Sequence, residues 1–355
     1  RAYSADTGEK QLLTGTVYET VTQSVYGPDD PYYLKKWQWG LQAINVTDIW
    51  ERVPVDKRSS VTIAVIDTGV DVDHEDLKDS IVAGYDFVNQ DDNPDDDNGH
   101  GTHVAGIAAA ITNNGKGIAG VAGGAKIMPV KVLNAKGVGT SLDVYLGIMY
   151  AVNNGADVIN LSLGSQIPSL LVKEAVDYAL ANDVVVVAAS GNDYSEMVGY
   201  PAAFDGVIAV GAVDYYFGNY MYTASFSNYG SELDITAPGV DIFSTFPYEL
   251  DTFDGLQDGY TLLDGTSMAS PFVAGMAALL RAENPDLSCE EIRKALLDNA
   301  YDIEYYGWDI YSGTGVVNGS AGDIKVPDIF EFPFVYLSGA RNIDIPTLIY
   351  LIADV

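Results

Sequence analysis

Six short, nearly continuous β-branched runs, with helix-forming stretches between them, constrain the fold of this chain more than anything else in it. They are Val61–Ile66, Lys126–Val132, Asp157–Leu161, Val184–Ala188, Val207–Gly211 and Leu233–Thr236. A strand that is apolar on both faces must be covered on both, as in parallel sheets. Helical patterns fall at 101–111, 141–154 and 169–182, where parallel neighbours need crossovers. The alternation predicts an α/β fold of the doubly wound kind, with helices on both faces of the sheet. Ligands in such sheets bind beyond the carboxyl ends of the strands. Two further helices are expected at about 267–283 and 288–299. Residues 1–25 read as a polar tail or the end of a removed segment. Residues 321–355 read as a strand-rich C-terminal extension that stops inside the apolar run Leu348–Ala353.

Charge removes whole classes of partner. With 50 acidic and 18 basic residues, the net charge is −32. Neither nucleic acid nor an anionic membrane would attract such a chain. The self-repulsion favours bound divalent cations, a saline habitat, or both. No window approaches the 18 or more apolar residues of a membrane span, and no charged-then-apolar leader opens at Arg1, so a signal peptide is not expected in this form. Cys289 is the single cysteine, which excludes an intrachain disulfide. It sits in Leu287-Ser-Cys-Glu-Glu-Ile, a helix start, and reads as a structural thiol.

Three stretches carry chemistry. Gly265-Thr-Ser-Met-Ala-Ser-Pro271 places Ser267 directly before an apolar helical run. A helix starting there aims unpaired N–H groups at its own first turn. Taken alone, a hydroxyl at such a place is usually a helix cap. The run Val61–Ile66 leads straight into Asp67-Thr-Gly, which puts a carboxylate at a strand's C-terminal end. Asn98-Gly-His-Gly-Thr-His-Val-Ala-Gly106 sets His100 at the start of a small-residue helix. An imidazole can take a serine proton, and a buried carboxylate can fix its tautomer. His100 and His103 also have a possible metal spacing. No third ligand sits at a familiar zinc interval, and there are no paired thiols. His103 reads as a helix residue, His74 as a turn residue and Asn160 as part of a strand.

Asp67-Thr-Gly-Val, His100-Gly-Thr-His-Val-Ala-Gly and Gly265-Thr-Ser-Met-Ala-Ser-Pro resemble the active-site signatures of the subtilisin-like serine proteases, in the same chain order. The resemblance covers roughly residues 28–320. It implies a mostly parallel seven-stranded sheet and a catalytic domain over 26–320. It implies Asp67 as orienting acid, His100 as general base and Ser267 as nucleophile. Asn192, in Ala189-Ser-Gly-Asn, resembles the oxyanion-hole asparagine, against the alternative of a plain Gly-Asn turn. Gly137, Val138 and Gly139 on one side, and Ser162, Leu163 and Gly164 on the other, resemble the edges that pair with an extended peptide. Ala189, Ser190 and Gly191 resemble a wall of the primary pocket, and Gly199 its floor. A glycine there implies a deep pocket for large apolar or aromatic side chains. Asp193 and Glu196 lie at its expected rim, as specificity acids or as ordinary surface charge. Phe272 departs from the family, many members of which carry His after the motif's proline; it is expected to pack inside the helix.

Hard-oxygen chemistry suited to calcium appears in Asp86–Asp97, where spaced carboxylates and amides would otherwise repel. The stretch resembles the medium-affinity loop of thermitase-like relatives, which implies Asp86, Asn89, Asp91, Asn93 and Asp95 as ligands. The loop Ile111–Ile118 resembles the family's strong calcium loop. It implies carbonyls of Ile111, Lys116 and Ile118 with the side chains of Asn114, Asp76 and Asp30. A weaker third site is implied around Ala202, Phe204, Val207, Glu232 and Asp234. Taken whole, the resemblance implies a secreted, calcium-stabilised, thermostable endopeptidase of broad specificity, monomeric, made as a zymogen. Its propeptide would serve as folding aid and inhibitor, and its substrates would be extended polypeptides. An imidazole must be neutral to act as base, so the rate is expected to rise through about pH 6–7. The competing readings are a non-catalytic peptide-binding relative and an α/β esterase, which would want Gly-x-Ser-x-Gly around its serine.

Overall fold

A computed structural model describes residues 27–216, 220–252, 255–320 and 352–353. The tail expected at 1–25 and most of the extension at 321–355 lie outside the described residues. Seven parallel strands form the sheet. They are β1 (Thr62–Asp67), β2 (Tyr85–Asp86), β3 (Lys126–Lys131), β5 (Val158–Leu161), β6 (Val185–Ala189), β7 (Ile208–Tyr216) and β9 (Ile235–Pro238). Between β3 and β5 in sequence lies the short strand β4 (Gly139–Thr140). The sheet order is β2-β3-β1-β5-β6-β7, with β9 parallel to β7 and β8 (Tyr220–Thr223) antiparallel to it. After β1 the chain crosses to the edge strand β2 and comes back inward to β3, then passes to the other side of β1 and moves outward through β5, β6 and β7. The order therefore switches at β1, and Asp67 is its last residue.

Alternation along β1 shows why both faces had to be apolar. Ile63 and Val65 point into one core with α1 (His100–Ala109) and α4 (Thr266–Glu283). Ala64 and Ile66 point into the other, with α2 (Ser141–Asn153) and α3 (Leu170–Ala181). Helix α4 is buried almost all round, as a helix apolar on every side must be, and packs against α1, β5, β6 and β7. That contact brings the helices carrying His100 and Ser267 together behind the carboxyl ends of β1, β5 and β6. Capping boxes start α2 (Thr140 with Asp143) and α5 (Cys289–Asp298, capped by Ser288 with Glu291), each worth about 1 kcal/mol.

The strand expected at 233–236 begins two residues later, because Leu233 is a core residue of the turn that precedes it. A hairpin of β10 (Ile242–Thr245) and β11 (Tyr260–Leu263) was not expected, since a long polar loop separates its two short strands. Strand β12 (Ile352–Ala353) runs parallel to β4, with Ile352 opposite Gly139.

Candidate active site

Asp67 ends β1 fully buried, and its Oδ1 accepts the backbone N–H of Thr68 at 2.7 Å. The same oxygen lies 2.7 Å from His100 Nδ1, on the first residue of α1. With the proton on Nδ1, imidazole donates to carboxylate, which leaves Nε2 as the basic nitrogen. Both side chains are at least 98% buried, so water does not compete for the bond. The glycines around His100 are sterically required. A Cβ on Gly101 would lie 2.0 Å from the Gly69 carbonyl and 3.1 Å from Asp67 Cβ, so a side chain there would push α1 away from the end of β1.

Ser267 stands in the first turn of α4, and its hydroxyl donates to the Ser162 carbonyl at 3.2 Å. The Ser162 hydroxyl returns a bond of 2.8 Å to the Ser267 carbonyl and also meets Ser270 and Asn160. Ser162, expected at a substrate edge, is thus tied to the backbone of Ser267. Asn192 Oδ1 accepts from the Thr266 N–H and hydroxyl at 2.9 and 2.8 Å. That fixes the amide so that Nδ2 points the other way. A Cβ built on Gly265 would lie 3.4 Å from Asn192 Nδ2 and 3.6 Å from Ser267 N, so both donors face one small space. Gly265 keeps that space open at φ 152°. For an oxyanion placed there, an oriented side-chain donor would contribute about 2.7–4 kcal/mol, against about 0.3–1 for a helix dipole, so the amide would dominate.

The residues expected to form the primary pocket lie on two chain segments joined by backbone hydrogen bonds. Ser165 and Tyr200 exchange backbone hydrogen bonds of 2.8 Å, and Gly199 N donates to Ser190 O. A Cβ at Gly199 would point between the Ser190 and Ser165 carbonyls, at 3.4 and 3.5 Å. Leu163 is buried, whereas Gly164 and Gly191 are partly open. Gly139 must be a glycine, because a Cβ would lie 2.2 Å from the Val132 carbonyl; Gly137 is buried beside it and Val138 is exposed. At the rim, Gln166 reaches Asp193 across the pocket mouth at 3.4 Å, and Glu196 is exposed.

The expected calcium ligands fall in two groups. Asp30 and Asp76 are fully buried. Asp76 accepts from Asn114 Nδ2, Ile118 N and Tyr260 OH, and Asp30 from Asn113 N and Asn114 N. All are neutral donors. Burial, reinforced by mutual repulsion, pushes Asp76 up to about 7; burial and the neighbouring Asp29 push Asp30 up to about 6. Two buried carboxylates with only neutral donors suit a divalent cation, completed by carbonyls of Ile111, Lys116 and Ile118. No three His, Cys, Asp or Glu side chains converge among the described residues, so amide and backbone oxygens would have to complete any cation shell. In the other group, Asp86 is buried and binds Asn89 through both oxygens, while Asp91, Asn93 and Asp95 are exposed. These five side chains are hard-oxygen donors, the chemistry a calcium ion takes, with Asp86 the one turned inward. The third region does not fit: the Asp234 carboxylate is held by the Arg293 guanidinium, a cation already in place.

His103 is not part of this constellation. Its Nε2 meets the Thr261 carbonyl, and burial pushes the imidazole down to about 3, so it stays neutral. His74 is more than a turn residue, for it is buried and links Gly259 to the N–H of Asp76. Phe272 is buried against Gly40, as expected of it. Asp96 and Lys131 escaped notice in the sequence. A lysine inside the apolar run Met128–Leu133 was the one available signal, and it donates to Thr68 O, Leu133 O and Asp97.

The sequence profile of the subtilase family matches residues 58–322. The chain is a subtilase. It is 43% identical over 293 residues to thermitase from Thermoactinomyces vulgaris, covering 82% of this chain and 98% of that protein. Subtilisin DY from Bacillus licheniformis is 45% identical over 75% of this chain and 91% of its own. A thermophilic serine proteinase from Bacillus sp. strain AK1 is 46% identical over 82% of this chain, though the match spans only 66% of that relative. Among solved structures, a protease from Pseudoalteromonas arctica PAMC 21717 superposes with a TM-score of 0.72 at 32% identity, covering 83% of this chain and 98% of that one. This subtilase is a serine protease of the subtilisin family. No described helix is long and apolar enough to cross a membrane.

Proposed function

We propose that this subtilase is a secreted endopeptidase that hydrolyses extended polypeptides through an acyl-enzyme on Ser267. The observation that carries the reading is the buried 2.7 Å bond between Asp67 and His100, with Asn192 Nδ2 and Ser267 N facing one space beside Gly265. Ser267 Oγ attacks the scissile carbonyl carbon while its proton passes to His100 Nε2. Asp67 holds the imidazolium that forms. The carbonyl oxygen becomes an oxyanion between Asn192 Nδ2 and Ser267 N. Collapse breaks the C–N bond, and His100 returns the proton to the leaving amine. Water then repeats the sequence on the ester and releases the acid.

Substrate lies as an added strand along Gly137–Gly139 and Ser162–Gly164, with its P1 side chain between Ala189–Gly191 and the floor at Gly199. The open floor favours large apolar P1 residues. Asp30, Asp76, Asn114 and the 111–118 carbonyls would hold one calcium, and Asp86, Asn89, Asp91, Asn93 and Asp95 a second. The first ion would supply charge neutralisation that tethers the N-terminal segment to the domain. The family implies a propeptide that assists folding and blocks the cleft. Treatment with a serine-directed fluorophosphonate, followed by peptide mapping and a casein assay with and without chelator, tests the reading. Labelling of Ser267 with loss of proteolysis is expected; labelling elsewhere, or no proteolysis by the untreated protein, would contradict it.

A further inference from the structure

We propose that Asp96 is a positioning residue for catalysis, a clamp that holds the helix of His100 against the strand of Asp67. The inference rests on the triad reading above. In the acidic stretch Asp91–Asp97, Asp96 is the carboxylate that turns inward; it is 7% exposed, while Asp91, Asp92, Asp95 and Asp97 are exposed. Its Oδ1 accepts from Thr68 Oγ1 at 2.9 Å, Asn98 N at 3.0 Å and Gly99 N at 2.9 Å. Its Oδ2 accepts from Thr102 N at 2.9 Å and Thr102 Oγ1 at 2.7 Å. Thr68 Oγ1 in turn accepts from Gly101 N at 2.9 Å. One carboxylate therefore joins the residue after Asp67 to residues on both sides of His100.

Sequence explains why the clamp is needed. The residue preceding α1 is Gly99, which has no side chain to cap the exposed N–H groups of the first turn. Asn98 Oδ1 takes His100 N and Thr68 Oγ1 takes Gly101 N, while Asp96 takes Thr102 N from outside the helix, and a carboxylate suits a helix N-terminus. A simple cap would bind only the helix, whereas Asp96 also binds Thr68. The Asp67–His100 bond closes the loop of contacts that Asp96 opens, so its geometry depends on this carboxylate. A displacement on the order of 1 Å between catalytic groups costs about a hundredfold in rate.

The test compares Asp96→Ala, Asp96→Asn and Thr68→Val with wild type at saturating calcium, and Asp92→Asn serves as a loop control. Expected for Asp96→Ala are a kcat about 10- to 100-fold lower at a KM within about twofold, and Ser267 phosphonylation slowed alike. Asp96→Asn keeps an acceptor for the Asn98 and Gly99 amides and should recover part of the loss. Thr68→Val cuts the link to β1 and should lower kcat with Asp96 in place. Asp92→Asn should match wild type. A lowered melting temperature with kcat unchanged in Asp96→Ala, or a rise confined to KM, would overturn the clamp. If Asp96→Ala does not fold, unchanged kcat in both Asp96→Asn and Thr68→Val overturns it. An active wild type with unaffected variants removes this inference alone, whereas a wild type that neither cleaves nor labels removes the triad reading with it.

Discussion

The role proposed for Asn192 asks two things of one amide: its oxygen must be satisfied and its nitrogen must be left to face the reacting carbonyl. Thr266 supplies the first through two donors to Oδ1, and Gly265 keeps open the space for the second. Asn192→Ala should therefore lower kcat by about 10²–10³-fold with little change in KM, the loss known for subtilisin when its oxyanion amide is removed. Steady-state kinetics on a peptide anilide checks it, and a loss confined to KM would contradict the role. Gly199→Ala should be tolerated structurally, since its Cβ would meet only ordinary contacts, but it raises the pocket floor. The ratio of kcat/KM for P1 Phe over P1 Ala should fall several-fold, on the order of the 1–3 kcal/mol that a methylene mismatch costs. Motifs singled out Asp67, His100, Ser267 and Asn192 in the sequence because each sits at or just beyond a strand end or at a helix start. Asp96 was not legible, because in a run of acids nothing marks which one turns inward; only the closure of α1 on β1 selects it.

Among the elements, the segment around Asp30 and the loop 111–118 act together. Tyr32 N donates to the Gly117 carbonyl, and Asn113 and Asn114 donate to Asp30. In the metal-free protein Asp30 and Asp76 have carboxyls raised to about 6 and about 7, against an ordinary 3.8. A raised carboxyl pKa means that the folded state holds the proton more tightly than the unfolded one. Their contribution is therefore best in acid and is lost as pH rises from about 4 to about 7. With chelator, the melting temperature should be lower at about pH 8 than at about pH 5, and calcium should restore most of the difference by binding the ionised pair. Equal melting with and without chelator at both values would remove the site. Six parallel strands and five long helices were readable from apolar runs, as both faces of the sheet are covered. The β10–β11 hairpin was not, for its strands have four residues each and a polar loop between them.

Over the whole molecule the balance is acid. A net charge of −32 on 355 residues opposes compactness, and the two proposed calcium ions would neutralise only a small part of it. In calcium-saturated buffer, raising sodium chloride from about 0.01 M to about 0.5 M should increase the melting temperature, since screening shortens the reach of exposed charges. A flat response would mean that local ion pairs already balance the field. On the proposed reading, the fold class, the switch at β1 and the convergence of α1 and α4 serve one purpose, which is to put Ser267 beside a base and an oxyanion site. The most direct measurement of that purpose is to mix the protein with a p-nitrophenyl ester of an apolar N-acyl amino acid, quench in acid during the burst, and map the peptides by mass. An acyl group on Ser267, absent from His100→Ala, is the predicted result; an ester hydrolysed with no acylated Ser267, or acylation of another residue, would contradict the account.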